Sequence, residues 1–198
     1  MNLNVEKILI IGLGMIGSSI ALASKSKGIK VYGFDKSNNS TKEALEKNII
    51  DTKVESILDI NSKDSLKIID LIIVAVPPKQ TLDVLYNLKD IWNTDVTITD
   101  TSSVKNHIKL NDVSNIVLSH PIAGSDQSGI SAANGDLFKN KKNVLCDPFN
   151  SKKGHFEKVD NFWKNALQMR TSSMSVTDHD LIFAMTSHLP HLVSYALI

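Results

Sequence analysis

Three short polar segments hold the residues best suited to chemistry in this chain of 198 residues. They are residues 100–105, 119–126 and 186–191, and they contain serine hydroxyls, carboxylates and three histidines. These groups accept and donate protons in many enzymes, and histidine does so close to neutral pH. Ligands of α/β proteins bind outside the carboxyl ends of the strands, so we expect the segments to meet at one edge of a sheet.

A glycine motif near the N-terminus predicts a different kind of site. Residues 12–17 read Gly-Leu-Gly-Met-Ile-Gly, which is the pattern G-x-G-x-x-G. The first glycine allows a tight turn, the second lets a pyrophosphate approach the backbone, and the third lets a helix pack against the sheet. Unpaired N–H groups at the start of that helix attract phosphate. The candidate cofactor-binding residues are therefore Gly12, Gly14, Met15, Ile16 and Gly17.

An acidic residue suits the glycine motif. Asp35 closes the predicted second strand, where a carboxylate can accept hydrogen bonds from both ribose hydroxyls and would repel a 2′-phosphate, so NAD is favoured over NADP. Val76, Pro77 and Ser102 lie at the ends of two later predicted strands and are further cofactor-binding candidates. For the prolines after Val76, a plain stop to the strand is an equally good explanation.

The elements that must position these residues alternate in the βαβ manner. Apolar runs predict strands at 8–11, 30–34, 71–76, 96–99, 116–118 and 144–146, and helical periodicity predicts helices at 15–27, 40–47, 79–92, 155–167 and from 178 onward. Residues 51–69 are ambiguous. The fold class is α/β, with a Rossmann-type, doubly wound, mostly parallel sheet.

Composition narrows the classes of partner and site. The formal net charge of +1 gives no global attraction for nucleic acid or for an anionic membrane. No apolar run reaches the roughly 18 residues of a membrane span, and no secretory signal is recognisable at the N-terminus. A single cysteine, Cys146, fits a reducing compartment and a buried position. These features predict a cytoplasmic protein that binds neither nucleic acid nor a membrane. No metal is expected, because His188 and His191 would need a further ligand and His120 is the only candidate for it.

The order of the motifs resembles the prephenate/arogenate dehydrogenase family. The segments that carry the resemblance are the G-x-G-x-x-G turn, V-P-P, S-V-K, S-H-P-I-A-G-S and S-H-L-P-H, and it extends over residues 6–198. It implies an NAD(P)-dependent oxidative decarboxylation in tyrosine biosynthesis. In that family prephenate gives 4-hydroxyphenylpyruvate, and arogenate gives tyrosine.

The resemblance also assigns roles to individual residues. It makes His120 the catalytic histidine, which accepts a hydrogen bond from the substrate ring hydroxyl, and Ser103 a residue that bonds the same hydroxyl or orients His120. Ser125 and Asp126 stand where the family often has threonine and glutamate in the substrate pocket. The remaining two candidates border the substrate and lie three positions apart on a helix: His188 and His191.

For the end of the chain, the resemblance implies a second, all-α domain for substrate binding and dimerisation. Residues 1–175 are expected to form the NAD-binding domain, and 176–198 the first helix of the second one. The chain is then a truncated dehydrogenase, which should bind NAD, turn over poorly or not at all alone, and form a homodimer only with a complete helical domain. It would also lack a clamp for the substrate carboxylate, because its single arginine, Arg170, precedes that helix.

Two other interpretations stay open at this point. A related β-hydroxy-acid dehydrogenase would share the N-terminal fold, although such enzymes usually carry a catalytic lysine on the later helix and no lysine follows Lys164 here. A non-catalytic NAD-binding module that docks a partner through its terminal helix is the second alternative.

Overall fold

The computed structural model describes residues 4–57, 69–124, 127–152 and 154–196. In these ranges, eight strands form one sheet in the order β3-β2-β1-β4-β5-β6-β7-β8. The strands are β1 (Lys7–Ile11), β2 (Lys30–Phe34), β3 (Thr52–Lys53), β4 (Leu71–Val74), β5 (Thr97–Asp100), β6 (Ile116–Ile122), β7 (Lys142–Cys146) and β8 (Arg170–Ser173).

The sheet is mostly parallel. Neighbouring strands pair in parallel throughout except β6 and β7, which are antiparallel, with His120 opposite Val144. The strand order reverses at β1, since the chain adds β2 and β3 on one side of it and β4 to β6 on the other. This reversal creates the crevice in which doubly wound proteins bind ligands. The predicted Rossmann-type fold is confirmed.

Helices cover both faces of the sheet. They are α1 (Met15–Lys25), α2 (Asn38–Glu46), α3 (Pro78–Asn87), α4 (His155–Asn161), α5 (Val176–Phe183) and α6 (Leu189–Ala196). Local chemistry fixes several starts. The Ser37 and Ser175 hydroxyls accept the N–H groups of Ser40 and Asp178 and so cap α2 and α5. A proline opens α3, where its missing N–H costs nothing.

The core lies on both sides of the central strands. In β1, Ile8 and Ile10 face the side that contains Trp163, whereas Leu9 and Ile11 face the side that contains Leu85. All four β1 side chains are buried, which is why the strand reads as a continuous apolar run and not as an alternating one. Cys146 is a buried free thiol, as its apolar neighbours predict.

Several boundaries differ from the predicted ones. The strand expected over 71–76 ends at Val74, so Val76 belongs to the following loop. The strand expected over 116–118 continues to Ile122, and His120 therefore lies within β6 instead of after it. The extension comes from antiparallel pairing with β7, which runs as far as Ile122 opposite Lys142. A polar stretch can be a strand when a neighbouring strand satisfies its backbone.

Two strands and two helical turns escape the sequence patterns. β3 has only two residues and falls in the ambiguous region 51–69. β8 reads Arg-Thr-Ser-Ser at the exposed sheet edge, so it has no apolar alternation to detect. The predicted helix 79–92 divides into α3 and a 3₁₀ turn at Lys89–Ile91, and 155–167 into α4 and a π-helical turn at Phe162–Ala166.

The C-terminal helical segment, residues 176–196, is helical throughout but not uniform. Hydrogen bonding changes to the π type over Ala184–His188, directly before α6 and Pro190. Proline lacks the N–H that an α-helix needs at that point, and π turns are one way in which a helix adapts to such a loss. In the ranges that the structure describes, no helix has both the length and the apolar character for crossing a membrane.

Candidate active site

A cleft of about 770 Å³ opens at the carboxyl ends of β1, β4, β5 and β6. Its position is the crevice expected from the reversal of strand order. It brings together residues that are far apart in sequence. The predicted site residues that line it are Gly12, Gly14, Met15, Ile16, Asp35, Val76, Pro77, Ser102, Ser103 and His120.

The three glycines of the motif meet different surroundings. Gly12 has a φ of +99°, and a Cβ there would lie 2.6 Å from the Ala75 carbonyl oxygen. Gly17 packs beneath the loop, where a Cβ would lie 1.9 Å from the Gly12 carbonyl oxygen. At Gly14, a Cβ would meet nothing within 4 Å among the described residues. Gly14 therefore presents bare backbone to the cleft, while the other two glycines are required by packing.

Asp35 is held against the glycine loop. One carboxylate oxygen accepts the Leu13 N–H and the other accepts the Ser37 N–H, each at 2.8 Å. The N-cap of α1 is Gly14, which offers no side-chain acceptor, and the first turn has no acidic residue. A helix start of this kind suits an anion. Open backbone at Gly14, the uncapped helix and the fixed carboxylate together fit a dinucleotide.

His120 projects from β6 beside a second histidine. Its Nδ1 lies 2.8 Å from Nε2 of His179, and Nδ1 of His179 lies 2.7 Å from Oδ1 of Asp180. The Phe183 ring packs at 4.7 Å from both imidazoles, measured between ring centroids. The two partners of His120 come from α5, so the C-terminal helical segment contributes to this end of the cleft.

Asp180 also joins α5 to the turn after β5. Its carboxylate accepts the backbone N–H of Lys105 at 2.9 Å and that of Asn106 at 2.7 Å. His179 is completely buried beneath this contact. Nothing in the sequence distinguishes His179 or Asp180 from other polar residues in a first helical turn; only the packing of α5 against β6 does so.

A buried ion pair fixes the loop that carries Ser103 to the part of β6 that carries His120. The Lys105 ammonium lies 2.8 and 2.6 Å from the two Asp100 carboxylate oxygens, and both side chains are fully buried. Asp100 accepts the N–H groups of Ser102 and Ser119, and Lys105 donates to the Ser119 carbonyl at 2.5 Å. The S-V-K segment is recognisable in the sequence. The spacing of its residues does not reveal that its lysine, Lys105, joins Asp100 to the Ser119 carbonyl.

The environment of His120 favours a neutral imidazole. Burial lowers the pKa of His120 to about 3; the positive charge of Lys105 and the nearby His179 and His188 act in the same direction, against Asp180. The neutral ring can accept a proton, as a general base must.

This burial predicts a loss of stability in acid. Burial lowers the pKa of His120, His155 and His179 below the usual 6.5. The unfolded chain then binds more protons below pH 6.5, so stability falls as pH drops from 6.5 towards the folded pKa values. For His120 alone we expect a loss of about 2 kcal/mol between pH 7 and pH 5. Urea unfolding at both pH values measures it, and the His120→Asn variant should lose less. An equal free energy of unfolding at both pH values would contradict this prediction.

Other predicted residues lie elsewhere. Ser125 and Asp126 fall outside the described residues, as does the side chain of His191. His188 is exposed on the π-helical turn and does not line the cleft. In the part of the chain that the structure describes, no three histidine, cysteine, aspartate or glutamate side chains are grouped to hold a metal ion.

The cleft is also lined by residues that the sequence motifs did not predict. Apolar Ile57 and Val84 and polar Gln80 line it, together with Lys36 directly after Asp35. The loop that follows the H-P-I-A-G motif contributes Gln127, Ser128 and Gly129.

Comparison with known proteins relates the chain to one family. Residues 20–168 match the family model for "Prephenate dehydrogenase, nucleotide-binding domain". Cyclohexadienyl dehydrogenase of Zymomonas mobilis is 32% identical, and the match covers 98% of this chain and 66% of that protein. Prephenate dehydrogenase of Bacillus subtilis is 33% identical over 100% of this chain and 54% of its own length. The chain thus spans between about half and two thirds of these relatives.

Comparison with solved structures relates the chain to the same family. Prephenate dehydrogenase of A. aeolicus, in complex with hydroxyphenyl propionate and NAD+, superposes with a TM-score of 0.86 at 29% identity, covering 100% of this chain and 69% of that one. Synechocystis arogenate dehydrogenase gives 0.83 at 26% identity, with coverage of 96% and 67%. (S)-3-hydroxybutyryl-CoA dehydrogenase of Ralstonia eutropha, at 0.61 and 14% identity, shares the fold alone. The β-hydroxy-acid alternative is not favoured, because the matching family model and the relatives above 30% identity are prephenate or cyclohexadienyl dehydrogenases.

Proposed function

Because this chain belongs to the prephenate dehydrogenase family, we propose that it binds NAD and serves the oxidative decarboxylation of prephenate or arogenate in tyrosine biosynthesis. The observation that carries the proposal is that His120 and Ser103 line the same cleft as the glycine loop and Asp35. A dinucleotide on the glycine loop and a substrate beside His120 would share one enclosed space.

NAD is the cofactor that these side chains suit. The Asp35 carboxylate can accept hydrogen bonds from both ribose hydroxyls and would repel the extra phosphate of NADP. The α1 N-terminus and the bare backbone at Gly14 are suited to the pyrophosphate. Met15, Ile16, Val76, Pro77 and Ser102 would complete this part of the site. When bound, NAD+ supplies the acceptor for a hydride.

His120 would act on the ring hydroxyl of the substrate. A neutral imidazole can draw off the hydroxyl proton while hydride leaves the same carbon. Carbonyl character at that carbon lets the ring carboxylate leave as CO2, and its electron pair makes the ring aromatic. His120 can then return the proton to the oxygen, which becomes the phenol. Ser103, which lines the same cleft, would hydrogen-bond the same hydroxyl or orient His120.

The preference between prephenate and arogenate would depend on other residues. Prephenate and arogenate differ by a keto or an amino group on the side chain, and we assign its recognition to Ser125, Asp126, His188 and His191 on the family resemblance. The same resemblance predicts a homodimer through a complete helical domain. The single cysteine, Cys146, fits a cytoplasmic location.

The test is NADH formation, followed by absorbance, with prephenate and separately with arogenate. We expect NAD binding, and NADH formation with one or both substrates that is slow in this chain on its own. A His120→Asn variant should keep its affinity for NAD and lose about 10²-fold or more in kcat, because the proton acceptor is missing. NAD binding without NADH from either substrate would contradict turnover by this chain on its own, and a chain that does not bind NAD would contradict the whole proposal.

A further inference from the structure

A hydrogen-bonded chain runs from Asp180 through His179 to His120. The donor and the acceptor of each hydrogen bond in it can be derived. Asp180 is the fixed end. One of its oxygens faces the Asn106 N–H at 2.7 Å and the other faces the Lys105 N–H at 2.9 Å. A backbone N–H can only donate, so both oxygens accept, and the carboxyl group has no proton on the side of either contact. Burial raises the pKa of Asp180, but the hydrogen bonds that its carboxylate accepts bring it below its ordinary value, so the group is ionised. Nδ1 of His179, 2.7 Å from Oδ1, must therefore donate to Asp180.

The protonation of His179 determines which nitrogen of His120 holds the proton. Burial lowers the pKa of His179, which favours a neutral ring with one proton. If Nδ1 holds that proton, Nε2 of His179 is an acceptor. Nδ1 of His120 lies 2.8 Å from it and must donate. His120 is thereby left with an unprotonated Nε2, and its ring lines the cleft.

The opposite tautomer of His120, with the proton on Nε2, would bring two hydrogen-bond acceptors together. If Nε2 of His120 held the proton, Nδ1 would accept from His179, and Nδ1 of His179 would have no proton. A nitrogen lone pair would then face the Asp180 carboxylate at 2.7 Å. His179 is fully buried, so water cannot relieve that contact at low cost.

We propose that His179 and Asp180 are positioning residues that hold His120 as the Nδ1–H tautomer, with Nε2 unprotonated and therefore able to accept the substrate proton. The proposal rests on the function proposed above for His120. It assigns a role to the first helix of the C-terminal segment, since α5 supplies both residues. Phe183 packs against both imidazoles from the next turn of the same helix and restricts their rotation.

The tautomer can be measured without turnover. In the full chain with ¹⁵N-labelled histidine, long-range ¹⁵N–¹H correlation spectra distinguish the Nδ1–H from the Nε2–H form, and the His120→Asn variant identifies the His120 signals. We expect the Nδ1–H form in the wild type. In His179→Leu, which removes the acceptor, the ring should shift to a mixture of tautomers. A wild-type His120 in the Nε2–H form would overturn the proposal, whether or not the chain turns over.

Kinetics provide the second test. We expect His179→Leu to lower kcat by about 10²-fold with KM for NAD changed less than about twofold, because only the base is affected. His179→Gln keeps an acceptor towards His120 and should regain about tenfold. Asp180→Asn should also lower kcat, since its amide presents a donor either to His179 or to a backbone N–H. Folding is checked by circular dichroism. A folded His179→Leu variant with wild-type kcat and an unchanged His120 tautomer would overturn the proposal.

Discussion

Replacing Lys105 with methionine is expected to lower the free energy of unfolding by about 3–5 kcal/mol. Methionine nearly matches the shape of the lysine stem but leaves the Asp100 carboxylate buried without its cation. The substitution also removes the donor to the Ser119 carbonyl, next to His120. We therefore expect both a lower midpoint in urea and weaker NADH formation at temperatures where the variant remains folded.

Two controls separate the buried charge from the loss of lysine itself. Lys47→Met breaks an exposed pair with Glu43 and should change stability by less than about 0.5 kcal/mol. The double variant Asp100→Asn with Lys105→Met removes both buried charges and should recover part of the loss. If Lys105→Met costs less than about 1 kcal/mol, the ion pair does not have the structural role described above.

A Gly17→Ala substitution is expected to destabilise the protein by about 3 kcal/mol or more. The new Cβ would lie 1.9 Å from the Gly12 carbonyl oxygen, and the obstacle is backbone that cannot rotate away. Either α1 must move off the sheet or the glycine loop must open. Urea unfolding measures the loss, and NAD affinity should fall with it because the loop geometry changes.

Gly14→Ala is the matched control, since it adds the same methyl group three residues earlier. Gly14 has a φ of −72°, which alanine adopts readily, and its Cβ would meet nothing within 4 Å. We expect stability within about 0.5 kcal/mol of the wild type. NAD affinity should nevertheless fall about tenfold or more, because the methyl group occupies the approach of the pyrophosphate. Equal stability losses in the two variants would contradict this account of the loop.

The sequence by itself determined the features that depend on neighbouring residues. A continuous apolar run, a glycine turn and an amphipathic stretch identify β1, the loop and α1, because each signal is local. The alternation of such units identified the doubly wound sheet, and it led to Asp35, Ser103 and His120 as candidates, all of which line one cleft. A parallel sheet brings strand ends to a common edge, so proximity followed from topology.

Only the tertiary structure decided which groups surround His120. His179 reaches His120 across 59 residues of chain, through the packing of α5 on β6, and no periodicity encodes that contact. The burial of Lys105 likewise depends on tertiary contacts, since its ammonium meets Asp100 at the end of β5 and the Ser119 carbonyl of β6. The extension of β6 and the polar edge strand β8 arise from pairing with β7. Local sequence specifies backbone preferences, whereas burial and hydrogen-bond partners depend on what the rest of the chain places nearby.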